Sequence, residues 1–185
     1  MNIILASSSP RRKEILSGMG LVFEVKSPKC DEALDSDEFD YKKIENIALK
    51  KALSLNDNES VIIAADTVVV CENKILGKPK DRNEALFMLR RLQGRTHFVV
   101  TSVALVYKDS IDVKSDTTYV TFNPLSNDVI RSYVDEFEPF DKAGAYGIQE
   151  LPQLFIKKID GSFDNVVGLP SKLLINMLFK LQKKA

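Results

Sequence analysis

Apolar and polar positions along the chain follow two spacings, one typical of strands and one typical of helices. Continuous or alternating apolar runs predict β-strands at residues 3–6, 21–25, 61–70, 75–76, 96–107, 114–122 and 154–159. Apolar residues three and four positions apart predict amphipathic α-helices at residues 12–19, 41–55, 82–92, 127–137 and 171–181. The segments 96–107 and 114–122 are expected to pair as antiparallel strands, and 161–170 is expected to be a loop.

The first predicted strand runs directly into a cluster of hydroxyl and cationic side chains. Serines at 7–9 and Pro10 come first, and Arg11 and Arg12 follow where a helical pattern starts. Proline fits the first turn of a helix, and the serine before it is a common N-cap residue. Free backbone N–H groups, the positive end of a helix dipole and two guanidinium groups together favour binding of a polyphosphate. A capped surface helix with solvated arginines is the alternative interpretation.

One carboxylate, Asp66, interrupts a β-branched run that predicts a strand buried on both faces. A buried carboxylate without a partner is costly, so Asp66 must be paired, protonated or bound to a metal ion. The small residues Ala64 and Ala65 leave space beside it. A functional role is therefore favoured over a structural aspartate that bonds nearby backbone amides.

Two lysines occupy positions that favour contact with a ligand as much as contact with water. Lys51 falls on the mostly apolar side of the helix predicted at 41–55. Its ammonium group either reaches water along the helix surface or points into a cleft, and the sequence leaves both interpretations open. Lys78 precedes Pro79 at the mouth of a predicted hairpin, where it either meets a phosphate group or lies on the surface.

The segment 141–149 combines small residues with two glycines, so its backbone can approach a flat ligand or another chain segment closely. Gln149 offers both donors and acceptors, which suits the edge of a nucleobase. A tight turn between two elements explains the same composition. His97 is expected to be structural, because nothing near it in the sequence resembles a nucleophile or a ligand set.

Composition narrows the classes of protein that fit. The 185 residues contain 44% hydrophobic and 28% charged side chains and have zero formal net charge, which argues against a nucleic-acid-binding protein. Two cysteines and one histidine are too few for a disulfide scaffold or a four-ligand zinc site. No apolar run reaches the length of a membrane span and no signal-peptide pattern is present, so a cytoplasmic location is expected.

Seven segments together resemble the Maf family of nucleoside triphosphate pyrophosphatases, in the family's order and over nearly the whole chain. These segments are residues 5–12, 31–32, 48–52, 65–69, 77–79, 141–149 and 161–170. The resemblance implies a single domain over residues 1–185 with an α/β fold similar to that of inosine triphosphatases. Its elements would be an elongated mixed β-sheet, flanking helices and two lobes around a central cleft.

The resemblance also implies an activity, namely hydrolysis of a nucleoside triphosphate to the monophosphate and pyrophosphate with Mg²⁺ or Mn²⁺. Two arginines after the proline, together with Thr67 and Gln149, match the branch that prefers dTTP and UTP. The sister branch that acts on 7-methyl-GTP carries a bulky residue in place of Arg11. A homodimer is a further implication of the family.

Residue roles follow from the same resemblance. Asp66 corresponds to the proton acceptor, and the specificity positions are Arg12, Thr67 and Gln149. The polar lining of the cleft corresponds to Ser7, Glu32, Lys51 and Lys78. No role is implied for Asp164 or Asn165.

These roles combine with the chemistry of the residues into one mechanistic hypothesis. The triphosphate oxygens are expected to contact Arg11, Arg12, Lys51 and Lys78. A divalent cation is expected to bind Glu32 and Asp66, since hard cations take carboxylate ligands. Metal ligand and general base are competing roles for Asp66, and both stay open at this point.

Two other classes remain as alternatives. The first is a non-catalytic nucleotide-binding regulator of cell division, which would bind a nucleotide without releasing pyrophosphate. The second is a nucleic-acid-binding module that uses the basic cluster, which the zero net charge argues against. The combination of Glu32, Lys51 and Asp66 favours the enzyme, because a sensor needs no carboxylate that activates water.

Overall fold

The computed structural model describes residues 2–33 and 36–183. Seven strands lie in one sheet within these residues: β1 (Ile3–Ala6), β2 (Glu24–Lys26), β3 (Val61–Cys71), β4 (Lys74–Leu76), β5 (Thr96–Tyr107), β6 (Ser110–Phe122) and β7 (Ile156–Asp160). The helices are α1 (Pro10–Gly18), α2 (Tyr41–Leu53), α3 (Arg82–Leu92), α4 (Asn127–Phe137), α5 (Phe163–Val167) and α6 (Ser171–Gln182). Short 3₁₀ turns occupy Ala143–Ala145 and Gln153–Phe155. Positions 34 and 35, in the acidic segment after Cys30, lie outside the described residues.

The sheet is mixed, with the order β2-β1-β3-β5-β6-β7 and β4 paired to β3. Strands β2, β1 and β3 run parallel, and the remaining pairs are antiparallel. The longest strands, β3, β5 and β6, form its centre, as the long apolar and alternating runs of the sequence predict. This arrangement confirms the predicted α/β fold with an elongated mixed sheet.

Helices cover both faces of the sheet because side chains of a strand alternate between the two faces. The even positions of β3, including Ile62 and Ala64, pack against Ala48 and Ala52 of α2. The odd positions pack against α1 and α6 near Ile63 and, further along, against α3 and α4. Neighbouring residues of β3 therefore face different helices.

The loop predicted at 161–170 is wrong in its central part, where the chain forms α5. Ser162 stabilises the first turn of this helix, because its hydroxyl accepts a hydrogen bond from the backbone N–H of Asn165 at 3.3 Å. Two strands also start later than predicted. The strand predicted from 154 begins at Ile156 after a 3₁₀ turn, and that predicted from 21 begins at Glu24, where the chain comes into register with Ile4 of β1.

Candidate active site

The floor of a cleft lies along one edge of β3, where strand pairing is interrupted. The first part of that edge pairs with β1 up to Ala64, and pairing with β4 begins only at Val69. Among the described residues, positions 65–68 have no strand beside them on this edge, while β5 covers the other edge throughout. A cleft of about 510 Å³ opens here, which is the size of a small-molecule site.

Every site residue predicted from the sequence lines this one cleft: Ser7, Arg11, Arg12, Glu32, Lys51, Asp66, Thr67, Lys78 and Gln149. The roles of these residues stay predictions. His97, predicted to be structural, is buried in β5 and bonds the Tyr146 hydroxyl through Nε2 at 2.7 Å.

Lys51 is buried in α2 and bridges two carboxylates. Its Nζ lies 2.6 Å from Oδ1 of Asp66 and 2.8 Å from Oε2 of Glu32. Asp66 occupies an even position of β3, so its side chain points towards α2. Ile47, Lys51 and Ala52 lie on the side of α2 that faces the sheet. The structure thus decides between the two interpretations of Lys51: its ammonium group points into the cleft, where it supplies the charge partner that Asp66 requires.

Arg12 reaches the cleft from α1 on the opposite face of the sheet. Its Nε donates to the carbonyl oxygen of Gly168 at 2.8 Å, Nη2 donates to Oγ1 of Thr67 at 3.0 Å, and Nη1 donates to Oγ of Ser7 at 3.4 Å. Burial lowers the pKa of Arg12, and the negative charges of Asp66 and Glu32 oppose that shift. The carbonyl oxygen of Gly168 and the hydroxyl groups of Thr67 and Ser7 are neutral acceptors that fix the plane of the guanidinium group. They leave two of its five N–H donors for a ligand.

The first turn of α1 is the predicted anion site, and its geometry matches part of that prediction. Ser9 takes the N-cap position before Pro10, but its side chain makes no capping hydrogen bond. Instead, Ser7 Oγ accepts a hydrogen bond from the Ser9 backbone N–H at 3.1 Å. The first turn contains no acidic residue, so the helix dipole and the charge of Arg11 give a positive electrostatic potential at the N-terminus of α1.

The far wall of the cleft is the segment predicted to approach a ligand. Asp141 Oδ2 lies 3.3 Å from Nη1 of Arg11, and its Oδ1 lies 2.8 Å from the buried Nζ of Lys142. Burial raises the pKa of Asp141, but hydrogen bonds from Lys142 and Arg11 outweigh it, so the net pKa is lowered. Lys142 also pairs with Glu150 at 3.1 Å, which ties the two ends of this segment together.

Gly144 allows the same segment to lie close to β3. It has a φ of 66°, and a Cβ at this position would lie 2.9 Å from Cγ2 of Val69. The Gly144 backbone N–H donates to the carbonyl oxygen of Gly77 at 3.0 Å, so the segment is bonded to the turn that carries Lys78. The composition of the segment therefore reflects close backbone packing, one of the two predicted interpretations.

Two carboxylates, Glu32 and Asp66, offer hard oxygen ligands in the cleft. Both contact Nζ of Lys51, so their point of convergence holds an ammonium group, and a divalent cation would bind through the carboxylate oxygens that Lys51 does not contact. Within residues 2–33 and 36–183, no group of three or more His, Cys, Asp or Glu side chains could hold a metal ion. The donor set fits Mg²⁺ or Mn²⁺ only with further oxygen ligands, such as those of a substrate phosphate or water.

Sequence reasoning missed four residues that support the site: Thr101, Asp141, Lys142 and Asn165. The contacts of Thr101, Asp141 and Asn165 join segments far apart in the chain, whereas those of Lys142 are local. Each residue resembles ordinary strand or loop polar residues in sequence. Three of them, Thr101, Lys142 and Asn165, are buried polar side chains, and this burial is visible only in the structure.

Comparison with known proteins gives a consistent family. The chain matches the family described as Maf-like protein over residues 2–181. It is similar to the dTTP/UTP pyrophosphatase of Bacillus velezensis, with 43% identity over 185 residues that cover 99% of this chain and 98% of the relative. The protein of the same name from Symbiobacterium thermophilum is 46% identical over 178 residues, covering 95% and 92%. That from Carboxydothermus hydrogenoformans is 48% identical over 179 residues, covering 92% and 93%.

A solved structure supports the fold independently. A HAM1 protein from Coxiella burnetii superposes with a TM-score of 0.50 at 13% sequence identity, covering 100% of both chains. The resemblance drawn from the seven sequence segments is thereby confirmed by the family match and the relatives. No helix among the described residues is long and apolar enough to cross a membrane.

Proposed function

We propose that this chain, which belongs to the Maf-like family, is a nucleoside triphosphate pyrophosphatase that hydrolyses dTTP and UTP to the monophosphate and pyrophosphate. The observation that carries the proposal is the pairing of Asp66 with Lys51 on the open edge of β3. It places an oriented carboxylate in a cleft that also contains Arg11, Arg12 and Lys78. Relatives more than 40% identical over nearly their full length are named dTTP/UTP pyrophosphatase, which supports the substrate assignment.

The reaction needs water to attack the α-phosphorus atom while the bond to the bridging oxygen of the β-phosphate breaks. In this proposal Asp66 orients the water and accepts its proton, and the pyrophosphate leaves with the electron pair of the broken bond. The chain places no histidine in the cleft, so a carboxylate is the available base among its described lining residues. Lys51 holds Oδ1 of Asp66 and thereby fixes the direction of the other carboxylate oxygen.

Charge neutralisation is the second requirement, because the triphosphate carries several negative charges. Arg11 and Lys78 line the cleft and bind phosphate oxygens in this proposal. Free backbone N–H groups at the start of α1 add to the positive potential there. A divalent cation, Mg²⁺ or Mn²⁺, held by Glu32 together with phosphate oxygens would supply further neutralisation and activate water. Asp66 keeps the role of base in this proposal, and metal binding by Asp66 stays a prediction from the sequence.

The product pair tests the proposal directly. Purified protein is incubated with UTP, dTTP, ATP or GTP and with Mg²⁺ or Mn²⁺, and the products are separated by ion-exchange chromatography. The proposal expects UMP or dTMP with pyrophosphate, faster than release from ATP or GTP, and loss of activity with a chelator. Release of a nucleoside diphosphate with orthophosphate, or of no product, would contradict it.

A non-catalytic regulator of cell division is not favoured, because the relatives carry the name of an enzyme and the cleft contains an oriented carboxylate. A homodimer and a cytoplasmic location stay predictions, and light scattering on the purified protein tests the first.

A further inference from the structure

Two threonine hydroxyls meet behind the cleft, and only one of them lines it. Thr67 of β3 and Thr101 of β5 are register partners, and their Oγ1 atoms are 2.9 Å apart. Thr67 lines the cleft, whereas Thr101 is fully buried at 0% exposure. The Thr101 hydroxyl also lies 2.8 Å from the backbone carbonyl oxygen of Asn165 in α5.

The direction of these hydrogen bonds follows from counting protons. A carbonyl oxygen only accepts, so Thr101 must use its single hydroxyl proton to donate to Asn165. Thr101 Oγ1 can then only accept from Thr67, and the Thr67 proton points away from the cleft. Thr67 Oγ1 accepts from Nη2 of Arg12, which occupies one lone pair. The other lone pair has no hydrogen-bond partner among the described residues.

This polarity restricts which part of a nucleotide can lie against Thr67. The side chain presents a lone pair to the cleft, so the ligand atom that bonds it must carry a hydrogen. Ionised phosphate oxygens are acceptors and cannot make this bond. A base N–H or a sugar hydroxyl can. A nucleotide group that bonds Thr67 is therefore expected to come from the nucleoside end of the ligand.

We infer that Thr101 is a positioning residue for base selection: it holds the Thr67 hydroxyl as a permanent acceptor for the N3–H of uracil or thymine. The inference rests on the proposed function for its substrate class. Arg12 Nη2 is bonded to the same Thr67 oxygen and carries a second N–H, so a donor and an acceptor lie side by side. The imide edge of uracil and thymine offers a carbonyl oxygen next to N3–H, which is the complementary pair.

The side chain of Asn165 fixes the position of its own backbone carbonyl group, which accepts the hydrogen bond from Thr101. Its buried amide nitrogen donates to the carbonyl oxygen of Val99 and to Oγ1 of Thr118, both at 3.0 Å. The backbone of α5 is thus bonded to β5 and β6 through one side chain. Because this acceptor is rigid, the Thr101 proton stays directed at the carbonyl oxygen of Asn165. The Thr67 hydroxyl therefore stays a donor to Thr101 and an acceptor towards the cleft.

Uracil and cytosine form a matched pair of probes, because N3 carries a hydrogen in uracil and a lone pair in cytosine at the same position. Binding of the non-hydrolysable α,β-methylene analogues of UTP and CTP is measured by calorimetry for wild type, Thr101→Val and Thr101→Ser. Wild type is expected to bind the UTP analogue at least about tenfold more tightly than the CTP analogue. With cytosine, two acceptors face each other without a hydrogen between them, which costs about 1–3 kcal/mol. Thr101→Val frees the Thr67 proton, so Thr67 can then donate to N3 of cytosine. The ratio of the affinity for the UTP analogue to that for the CTP analogue should therefore fall roughly tenfold. Thr101→Ser keeps the hydroxyl and should keep the ratio.

A wild-type ratio below about threefold, or a Thr101→Val ratio within about threefold of wild type, overturns the inference. If Thr101→Val does not fold, the test uses wild type with two further UTP analogues, one methylated at N3 and one lacking the 3′-hydroxyl. The N3-methyl analogue should bind at least about tenfold more weakly and the 3′-deoxy analogue about as tightly as its parent. The reverse pattern makes a sugar hydroxyl the donor and overturns the base assignment. Because the readout is binding, selective binding without pyrophosphate release would reject the proposed function and leave this inference standing.

Discussion

Replacing Lys51 by methionine removes the buried charge that pairs directly with Asp66 and leaves the hydrocarbon part of the side chain nearly unchanged. The Lys51 side chain is 5% exposed, and those of Asp66 and Glu32 are 14% and 52% exposed. The variant therefore tests whether the pairing at the floor of the cleft stabilises the folded protein, independently of any activity.

The expected loss follows from these exposures. Removing one partner of a buried ion pair costs about 3–5 kcal/mol, because the other charge stays buried without compensation. Asp66 borders the cleft and can regain some water, so the low end, about 3 kcal/mol, applies to Lys51→Met. The half-exposed Glu32 adds at most about 1 kcal/mol. For a chain of this length, about 3 kcal/mol corresponds to a fall in Tm of roughly 6–12 °C.

Urea denaturation followed by circular dichroism measures the free energy of unfolding for wild type and the variants. Lys50→Met is the matched control: Lys50 is the exposed neighbour on α2, and its replacement should change stability by less than about 0.5 kcal/mol. Adding Asp66→Asn to Lys51→Met should recover about 2 kcal/mol, because the uncompensated charge is removed. A loss below about 1 kcal/mol in Lys51→Met, or no recovery in the double variant, would refute the reasoning.

Two further predictions concern residues outside the lining of the cleft. Burial lowers the pKa of His97 to about 4 from an ordinary value of 6.5, so the unfolded chain takes up its proton first as the pH falls. The free energy of unfolding should therefore fall by up to about 3 kcal/mol between pH 6.5 and 4. The difference in this free energy between wild type and His97→Gln should show the same dependence on pH. A difference that does not change with pH would contradict the prediction. Gly144→Ala should cost about 1–3 kcal/mol, because its Cβ would meet Val69 in a left-handed backbone conformation. Gly18→Ala, where a Cβ meets nothing within 4 Å, should be neutral or stabilising in thermal melts, and equal losses in the two variants would contradict the packing argument.

Local signals in the sequence were sufficient for the long elements. Helix α3 runs from Arg82 to Leu92 as predicted, because Asp81 caps it and four apolar residues recur at helical spacing. The same holds for α4, which Ser126 caps. Strand β3 was recognisable because a continuous β-branched run needs burial on both faces. The residue types that line the cleft were also recognisable, since a carboxylate in an apolar strand requires a partner.

Local signals fail where distant segments meet. A snorkelling lysine and a cleft lysine have the same helical spacing, so only the folded structure shows that Lys51 meets Asp66. Helix α5 has five residues, too few to show a periodic pattern, and the glycines at 161 and 168 resemble loop punctuation. Thr101 is an ordinary β-branched residue in an alternating strand until its hydroxyl is seen against Thr67 and Asn165.

The central claim is that Asp66 accepts a proton from the attacking water in a pyrophosphatase reaction. Initial rates of pyrophosphate formation from UTP and dTTP, with Mg²⁺ or Mn²⁺, measure it for wild type, Asp66→Asn and the exposed control Glu14→Gln. The account predicts that Asp66→Asn lowers kcat by about 10²–10⁴-fold while the protein stays folded and binds the nucleotide, and that Glu14→Gln matches wild type. An Asp66→Asn rate within about threefold of wild type, measured under saturating nucleotide, would contradict the account.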